Sequence, residues 1–301
     1  MAVCSSSGSG VAVSRFFETG LRDPAFGQAL GLTVFPEWRR CGSILRDSEG
    51  RLMVAGVDGQ NRARLARLNS DGLPDLDFGE AGETTGPTLS PSGGGVRDIH
   101  MDLAPNGDML FAGDRFGVTV ARFTERGERR QSFGRNGVVS LSGIRDSQLR
   151  LGRAESVQVD GQGRILIGGV KNGAMAIVAL RPDGRLLRSF GKGGIVTRDV
   201  LETAVVEDLL VQPDGSIVAV GWASERCGRI APACPFHMVA TRYKSSGRSD
   251  TGFARRGVFL RRFGLASKAT SVLNGRRGLT IGGYAETMDE RREFLLVRLR
   301  R

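Results

Sequence analysis

Hydrophobic and polar positions along this 301-residue chain change over with the short period of β-strands, and no stretch carries the three-to-four-residue period of a helix. The clearest case begins at Ser156-Val157-Gln158-Val159, which alternates as a half-buried strand, and Asp160-Gly161-Gln162-Gly163 then turns the chain. Residues 165–169 (Ile-Leu-Ile-Gly-Gly) read as a fully buried strand and 175–180 as a third. Pro182-Asp183-Gly184 supplies the next turn, because Pro presets φ and Gly accepts a positive one. Phe190-Gly191-Lys192-Gly193-Gly194 leads into a fourth strand at 195–197. Four short strands per unit, joined by tight turns, describe one blade of a β-propeller.

The unit repeats. Phe-Gly recurs at Phe26-Gly27, Phe78-Gly79, Phe133-Gly134 and Phe190-Gly191, with an altered fifth copy at Phe253-Ala254. Self-similarity at such steps marks a tandem array. Taking the strands of a unit as A to D, strand B recurs at 52–56, 109–113, 217–221 and 279–283. Strand C recurs at 65–68, 120–123, 239–243 and 296–299. Counting A and B strands gives five copies, and the chain stops on a C strand. The missing D strand is available at 31–35, so the expectation is an all-β, five-bladed propeller of four-stranded antiparallel blades, closed by that N-terminal strand. Residues 21–301 would form the propeller, and residues 1–20 an extension in which 11–16 looks like a surplus C strand.

The motifs resemble those of delta-60 repeat proteins, whose pattern runs Leu-Asp-Pro-x-Phe-Gly, Gln-Pro-Asp-Gly-Lys-Ile-Leu-Val-Ala-Gly and Ala-x-Ala-Arg-Tyr-Asn-x-Asp-Gly. This chain has Leu21-Arg-Asp-Pro-Ala-Phe-Gly27, Gln212-Pro-Asp-Gly-Ser-Ile217 and Ala66-Arg-Leu-Asn-Ser-Asp-Gly72. The resemblance runs along nearly the whole chain and departs from the pattern at Thr251-Gly-Phe253-Ala254 and in the insertion holding Cys227 and Cys234. It implies a bacterial, exported, propeller-like protein and implies no chemistry. In its pattern an Arg of strand C and an Asp before Phe-Gly stand eight apart, as at Arg15/Asp23, Arg67/Asp75 and Arg242/Asp250, and are expected to form structural ion pairs. The third copy has neither partner (Ala179, Leu187), whereas Arg122 and Arg130 break the rule in the second.

Composition narrows the field. The net charge is +11, but the basic residues are almost all Arg and are spread through every copy, which is not the clustered stripe of a nucleic-acid surface. No apolar run approaches the length of a membrane span. Cys227 and Cys234, seven apart in the longest insertion, are read as a disulfide of an oxidising compartment, against the alternatives of two thiols or half a metal site. Cys41 falls in an inner strand and is expected to be a buried thiol. Cys4, followed by Ser and Gly, resembles the mature start of a bacterial lipoprotein, although no signal peptide precedes it in this chain.

Loop length varies chiefly at 84–95, 142–153, 222–236 and 284–293, all on the face that carries the B–C and D–A loops, which marks that face for binding. Aligning the A strands gives a polar ring of Ser43, His100, Ser156, Asp208 and Ser271. Around it lie Arg40, Arg97, Asp98, Glu155, Glu207 and Lys268, with Trp38 and Trp222 as candidate aromatic walls. Together they suggest a mixed-charge pocket at the channel mouth, against the plainer expectation of hydrogen bonds between blades. A glycosidase would need two carboxylates about 5–10 Å apart, and Asp98, Glu155, Glu207 and Asp208 are the candidates. Few Trp or Tyr are present as sugar platforms, and His100 and His237 lack metal-ligand spacing. The resulting expectation is a monomeric, exported scaffold without cofactor or metal that binds a protein or glycan partner, with glycoside processing as the alternative.

Overall fold

The computed structural model describes residues 1–7, 10–89, 99–114, 118–141, 153–226, 235–276, 278–289 and 291–299. The chain divides into two compact units, residues 1–142 and 143–301. Every regular element among the described residues is a β-strand, and neighbouring strands in each sheet are antiparallel.

The first unit holds three sheets. β1 (Ala2–Ser7), β2 (Gly10–Arg15) and β3 (Leu32–Phe35) form the first. β4 (Trp38–Arg46), β5 (Leu52–Asp58), β6 (Arg62–Leu68) and β7 (Glu83–Thr88) form the second, and β8 (Ile99–Leu103), β9 (Met109–Asp114), β10 (Val118–Phe123) and β11 (Val138–Ser140) the third. The second unit contains β12 (Arg153–Val159) to β15 (Ile195–Arg198), with β13 (Ile165–Lys171) and β14 (Ala174–Leu180) between them. Next come β16 (Thr203–Val211), β17 (Ile217–Ser224), β18 (Phe236–Tyr243) and β19 (Val258–Arg261), and last β20 (Ala266–Gly275), β21 (Gly278–Glu286) and β22 (Arg292–Leu299).

Two expectations are corrected by these pairings. Among the described residues there are six sheets rather than five blades, and none is closed. Residues 32–35 do not complete the last sheet. They pair with β2, Val11 opposite Phe35 and Ser14 opposite Leu32, so residues 11–15 are the middle strand of an N-terminal B-C-D sheet and not a surplus. The strand that the sequence count missed is β1, whose Ser-rich run carries almost no apolar signal.

Within each unit the Phe-Gly segment latches one copy to the next, as at Phe26, Phe78 and Phe190. The Phe26 ring lies under the C–D turn of the following copy, where a Cβ on Gly72 would come within 2.6 Å of it. Gly27 N–H donates to Asp71 O, and the Arg15 guanidinium stacks on Phe26 while binding Asp23 and the Ser70 carbonyl. Phe78, Gly79 and Arg67 repeat this against Arg126 O and Glu125 O, and Gly191 N–H does so against Ser246 O. Gly79 itself sits at φ +56, and a side chain there would run into the Glu83 carbonyl, so only glycine fits without strain.

The two irregular copies keep the arrangement by another route. In the second, Arg122 and Arg130 both bind Asp108, which is 1% exposed and directly precedes the B strand. In the third, Arg164 replaces the missing strand-C arginine: it pairs with Asp160, lies over Phe190 and donates to Ser245 O. The expectation of structural ion pairs thus extends to copies that lack the eight-residue spacing.

One covalent link ties the first two sheets. Cys4 of β1 and Cys41 of β4 form a disulfide, with Cα atoms 6.2 Å apart. Cys41 is therefore not a buried thiol, and the sulfur of Cys4 is not free to carry a lipid. Cys227 and Cys234 lie outside the described residues.

Candidate functional site

The A strands carry a local irregularity where the site residues sit. The ladder slips by one residue between Ala154 and Ser156, between Val206 and Asp208, and between Ala269 and Ser271. A bulge of this kind opposes two residues to one and turns a side chain out of the regular alternation. Glu155 and Glu207 are the extra residues in their strands.

Beyond the bulge, Asp208 faces inward. Its Oδ1 accepts hydrogen bonds from Ser156 Oγ at 3.1 Å and Leu209 N at 2.8 Å, and its Oδ2 accepts from Val272 N at 2.9 Å. One carboxylate thus joins β12, β16 and β20. Burial pushes its pKa above the ordinary carboxylate value, and the hydrogen bonds from Val272, Leu209 and Ser156 pull the other way. Of the two readings of the polar ring, hydrogen bonding between sheets describes Asp208 and Ser156.

Glu207 has a different role. Its Oε1 accepts the indole N–H of Trp222 at 2.6 Å. The Trp222 ring meets Phe236 edge-on, with centroids 4.7 Å apart, and Lys268 Nζ lies 4.5 Å from the first ring and 4.1 Å from the second. The negative face of each ring attracts the ammonium. Beside them Arg292 covers the Tyr284 ring at 4.9 Å and donates to Glu286 at 3.1 Å. The Tyr284 hydroxyl is pushed up chiefly by burial; Arg292 works against that, while Glu286 and Glu207 add to it. Trp222, Phe236, Lys268, Tyr284 and Glu207 are all partly exposed. They make a half-open aromatic surface of mixed charge at the ends of β17, β18 and β21, where the long loops begin.

The second unit therefore unites Glu207, Trp222 and Lys268, as the sequence suggested, and adds Phe236, Tyr284, Glu286 and Arg292. A signal for Tyr284 was present: aligning the B strands puts it at the position of Trp222, where earlier copies have Val57, Asp114 and Val170. Glu155 is 5% exposed and belongs to the interior. In the first unit Trp38 is not a pocket wall. It is 2% exposed, stacks on Phe35 at 4.5 Å and donates to Glu83, which Arg64 also binds. Arg40 is exposed and His100 partly so, while Arg97 and Asp98 lie outside the described residues. Among the described residues no three His, Cys, Asp or Glu side chains gather as metal ligands, and no helix is long and apolar enough to cross a membrane.

Comparison with known proteins supports the fold and leaves the chemistry open. Residues 48–78 match a family described as "Domain of unknown function (DUF5122) beta-propeller", which supports a β-propeller-like repeat family. No curated protein matches. The PQQ-bound aldose sugar dehydrogenase of Streptomyces coelicolor aligns over 99% of this chain and 90% of its own, at 14% identity and a TM-score of 0.51. A GH43 endo-arabinanase of Bacillus licheniformis aligns over 85% and 92%, at 11% identity and a TM-score of 0.41. A Bacteroides caccae protein of unknown function aligns over 87% and 98%, at 13% identity and a TM-score of 0.38. At these identities the likeness concerns the fold alone.

Proposed function

We propose that this chain is a non-catalytic, exported scaffold of the delta-60 repeat kind that holds a protein or glycan partner on its loop-bearing face, at the surface built by Glu207, Trp222, Phe236, Lys268 and Tyr284. One observation carries the reading. Two aromatic rings and a carboxylate, drawn from three strands, stay half exposed beside the most variable loops, while the earlier copies have Val57, Asp114 and Val170 at the position of Trp222. Aromatic residues with flanking charges are what binding hot spots and sugar platforms share. A rigid repeat array holds such a cluster in place without ordering on binding.

Three of the four carboxylates considered for glycoside processing are otherwise engaged. Asp208 clamps three strands, Glu207 holds the Trp222 indole, and Glu155 is buried. The Cys4–Cys41 disulfide supports export, since such bonds persist in oxidising compartments. The test applies the full chain to a glycan array, and in parallel carries a benzophenone crosslinker at residue 225 for protein partners. A specific glycan signal or crosslink that Trp222→Ala removes, with the melting temperature kept, supports the reading. A signal indifferent to Trp222→Ala and Phe236→Ala overturns it, and turnover of a glycoside abolished by Glu207→Gln would establish the enzyme instead.

A further inference from the structure

The chain places cations on aromatic rings in two different ways. At the latches a guanidinium lies on one buried Phe ring and is paired to an aspartate of its own copy, as with Arg15, Arg67 and Arg242 on Phe26, Phe78 and Phe253. Those contacts belong to the scaffold. At the ends of β17 and β18 the arrangement differs. Lys268 Nζ lies on two half-exposed rings at once, 4.5 Å from the Trp222 centroid and 4.1 Å from that of Phe236. The two ring planes meet at 69°, so they form the walls of a corner with the ammonium inside it.

Strand pairing fixes both walls. Trp222 stands opposite Val205 and Met238, and Phe236 stands opposite Ser224, two residues further along the same face of the sheet. Glu207 accepts the indole N–H at 2.6 Å, which holds the ring in place and sets a negative charge at its edge. That bond also pushes electron density into the indole and strengthens the pull of its face on a cation. Tyr284 stands opposite Lys268 across β20 and β21, and Glu207 is among the charges that raise its pKa. Aligning the A strands on the polar ring puts Arg40, Arg97 and Arg153 at the position of Lys268 in the first three copies. The fifth copy has a compact ammonium where those three have a flat guanidinium.

A primary ammonium suits such a corner poorly. It is strongly hydrated, and the two ring faces offer it no lone pair in place of the water they exclude. A quaternary ammonium has no N–H to leave unmade, spreads its charge over methyl groups and can touch both walls with them. Aromatic faces recognise ligands of this class. We infer that the Trp222–Phe236 corner, with Glu207 beside it, receives a quaternary ammonium group of the partner, and that Lys268 is the tethered occupant which this group displaces. The inference rests on the binding face proposed above and names the chemistry which that face recognises. On displacement Lys268 swings to solvent on its flexible stem and regains its hydration. Until then it competes, and the apparent affinity is lowered by the fraction of chains in which the corner is open.

The probe is choline, titrated into the full chain with calorimetry and the proton resonance of its methyl groups as readouts. The expected result is saturable binding with an upfield methyl shift from the ring faces. Binding should weaken about tenfold or more for the neutral isostere, in which a tert-butyl group replaces the trimethylammonium. Lys268→Met should tighten choline binding about threefold or more, because the competitor is gone. No saturable binding, equal binding of the neutral isostere, or weaker binding by Lys268→Met overturns the inference. The comparison of choline with its isostere on the unmodified chain decides the matter even if a variant fails to fold. Phosphocholine and a trimethyllysine peptide are then compared, and the tighter binder names the source of the group. A partner lost on Trp222→Ala but not displaced by choline overturns this inference and leaves the binding face standing, whereas a partner indifferent to Trp222→Ala overturns the face itself.

Discussion

Replacing Asp208 by Ala tests the clamp that joins three strands of the second unit. The substitution removes both acceptors of a carboxylate that binds Ser156 Oγ, Leu209 N and Val272 N. Leu209 N keeps a 3.2 Å bond to Ser156 Oγ, so its loss is partial. Val272 N has no other acceptor assigned to it, and a buried donor left unmade costs about 1–3 kcal/mol. The lost bonds from Leu209 and Ser156 add about 1 kcal/mol each, and relief of the desolvated charge returns part of the total. The net is a destabilisation of about 2–3 kcal/mol, or a fall of roughly 5–10 °C in the melting temperature of the second unit. Calorimetry or urea unfolding measures it, with Ser156→Ala as the milder comparison. The pH dependence has a definite sign. Because the folded-state pKa of Asp208 is raised above the ordinary 3.8, its contribution is greatest at and below that value and declines as pH rises through the folded pKa. The gap between wild type and Asp208→Ala should therefore be wider near pH 4 than at pH 7. A variant within about 0.5 kcal/mol of wild type at both pH values would refute the clamp.

Four further outcomes follow from the same structure. Opening the disulfide by Cys41→Ser, which releases a link of sequence separation 37, should destabilise the first unit by about 4 kcal/mol, read by urea unfolding. Asp108→Asn leaves Arg122 and Arg130 without their anion and should cost about 3 kcal/mol at pH 7. Burial raises the Asp108 pKa, but the bonds from Arg130, Asn106 and Arg122 outweigh it and hold the group below 3.8, so the difference should shrink as pH falls through the folded-state value. Gly79→Ala should cost about 2 kcal/mol or more by urea unfolding, since the residue adopts a left-handed φ against the Glu83 carbonyl, whereas Ala254→Gly should gain up to about 1 kcal/mol by relieving a φ of +44.

Much of this fold was legible because each copy repeats its signals at fixed spacing. Phe-Gly, the turn glycines and the Arg/Asp pairs eight apart are local, so their roles could be read along the chain. Asp108 and Arg164 were not legible as substitutes, because each enters the latch from the turn before strand B and only the folded sheet brings it there. The blade count failed at β1, where a Ser-rich strand is held by its partner β2 and by the bond from Cys4 to Cys41 rather than by its own pattern. Trp38 misled for a related reason. Its position in strand A matches a channel residue, but Phe35 of the preceding sheet stacks on it and Glu83 accepts its indole N–H hydrogen bond. Trp222, Glu207 and Lys268 were legible only as members of the wider set placed around the channel mouth, with Trp38, Arg40 and Glu155 among the others. Phe236 and Tyr284 complete the group through pairing across strands, which spacing alone does not show.

The most direct test of the proposed binding face uses the two tryptophans as reporters. Chain labelled with 5-fluorotryptophan should give two fluorine resonances, one from buried Trp38 and one from half-exposed Trp222, assigned by Trp222→Phe. Titration with the glycan or protein that the array or crosslinking identifies should shift the Trp222 resonance saturably and leave the Trp38 resonance in place. A partner that binds without moving the Trp222 resonance, or that moves only the Trp38 resonance, would contradict the assignment of this face.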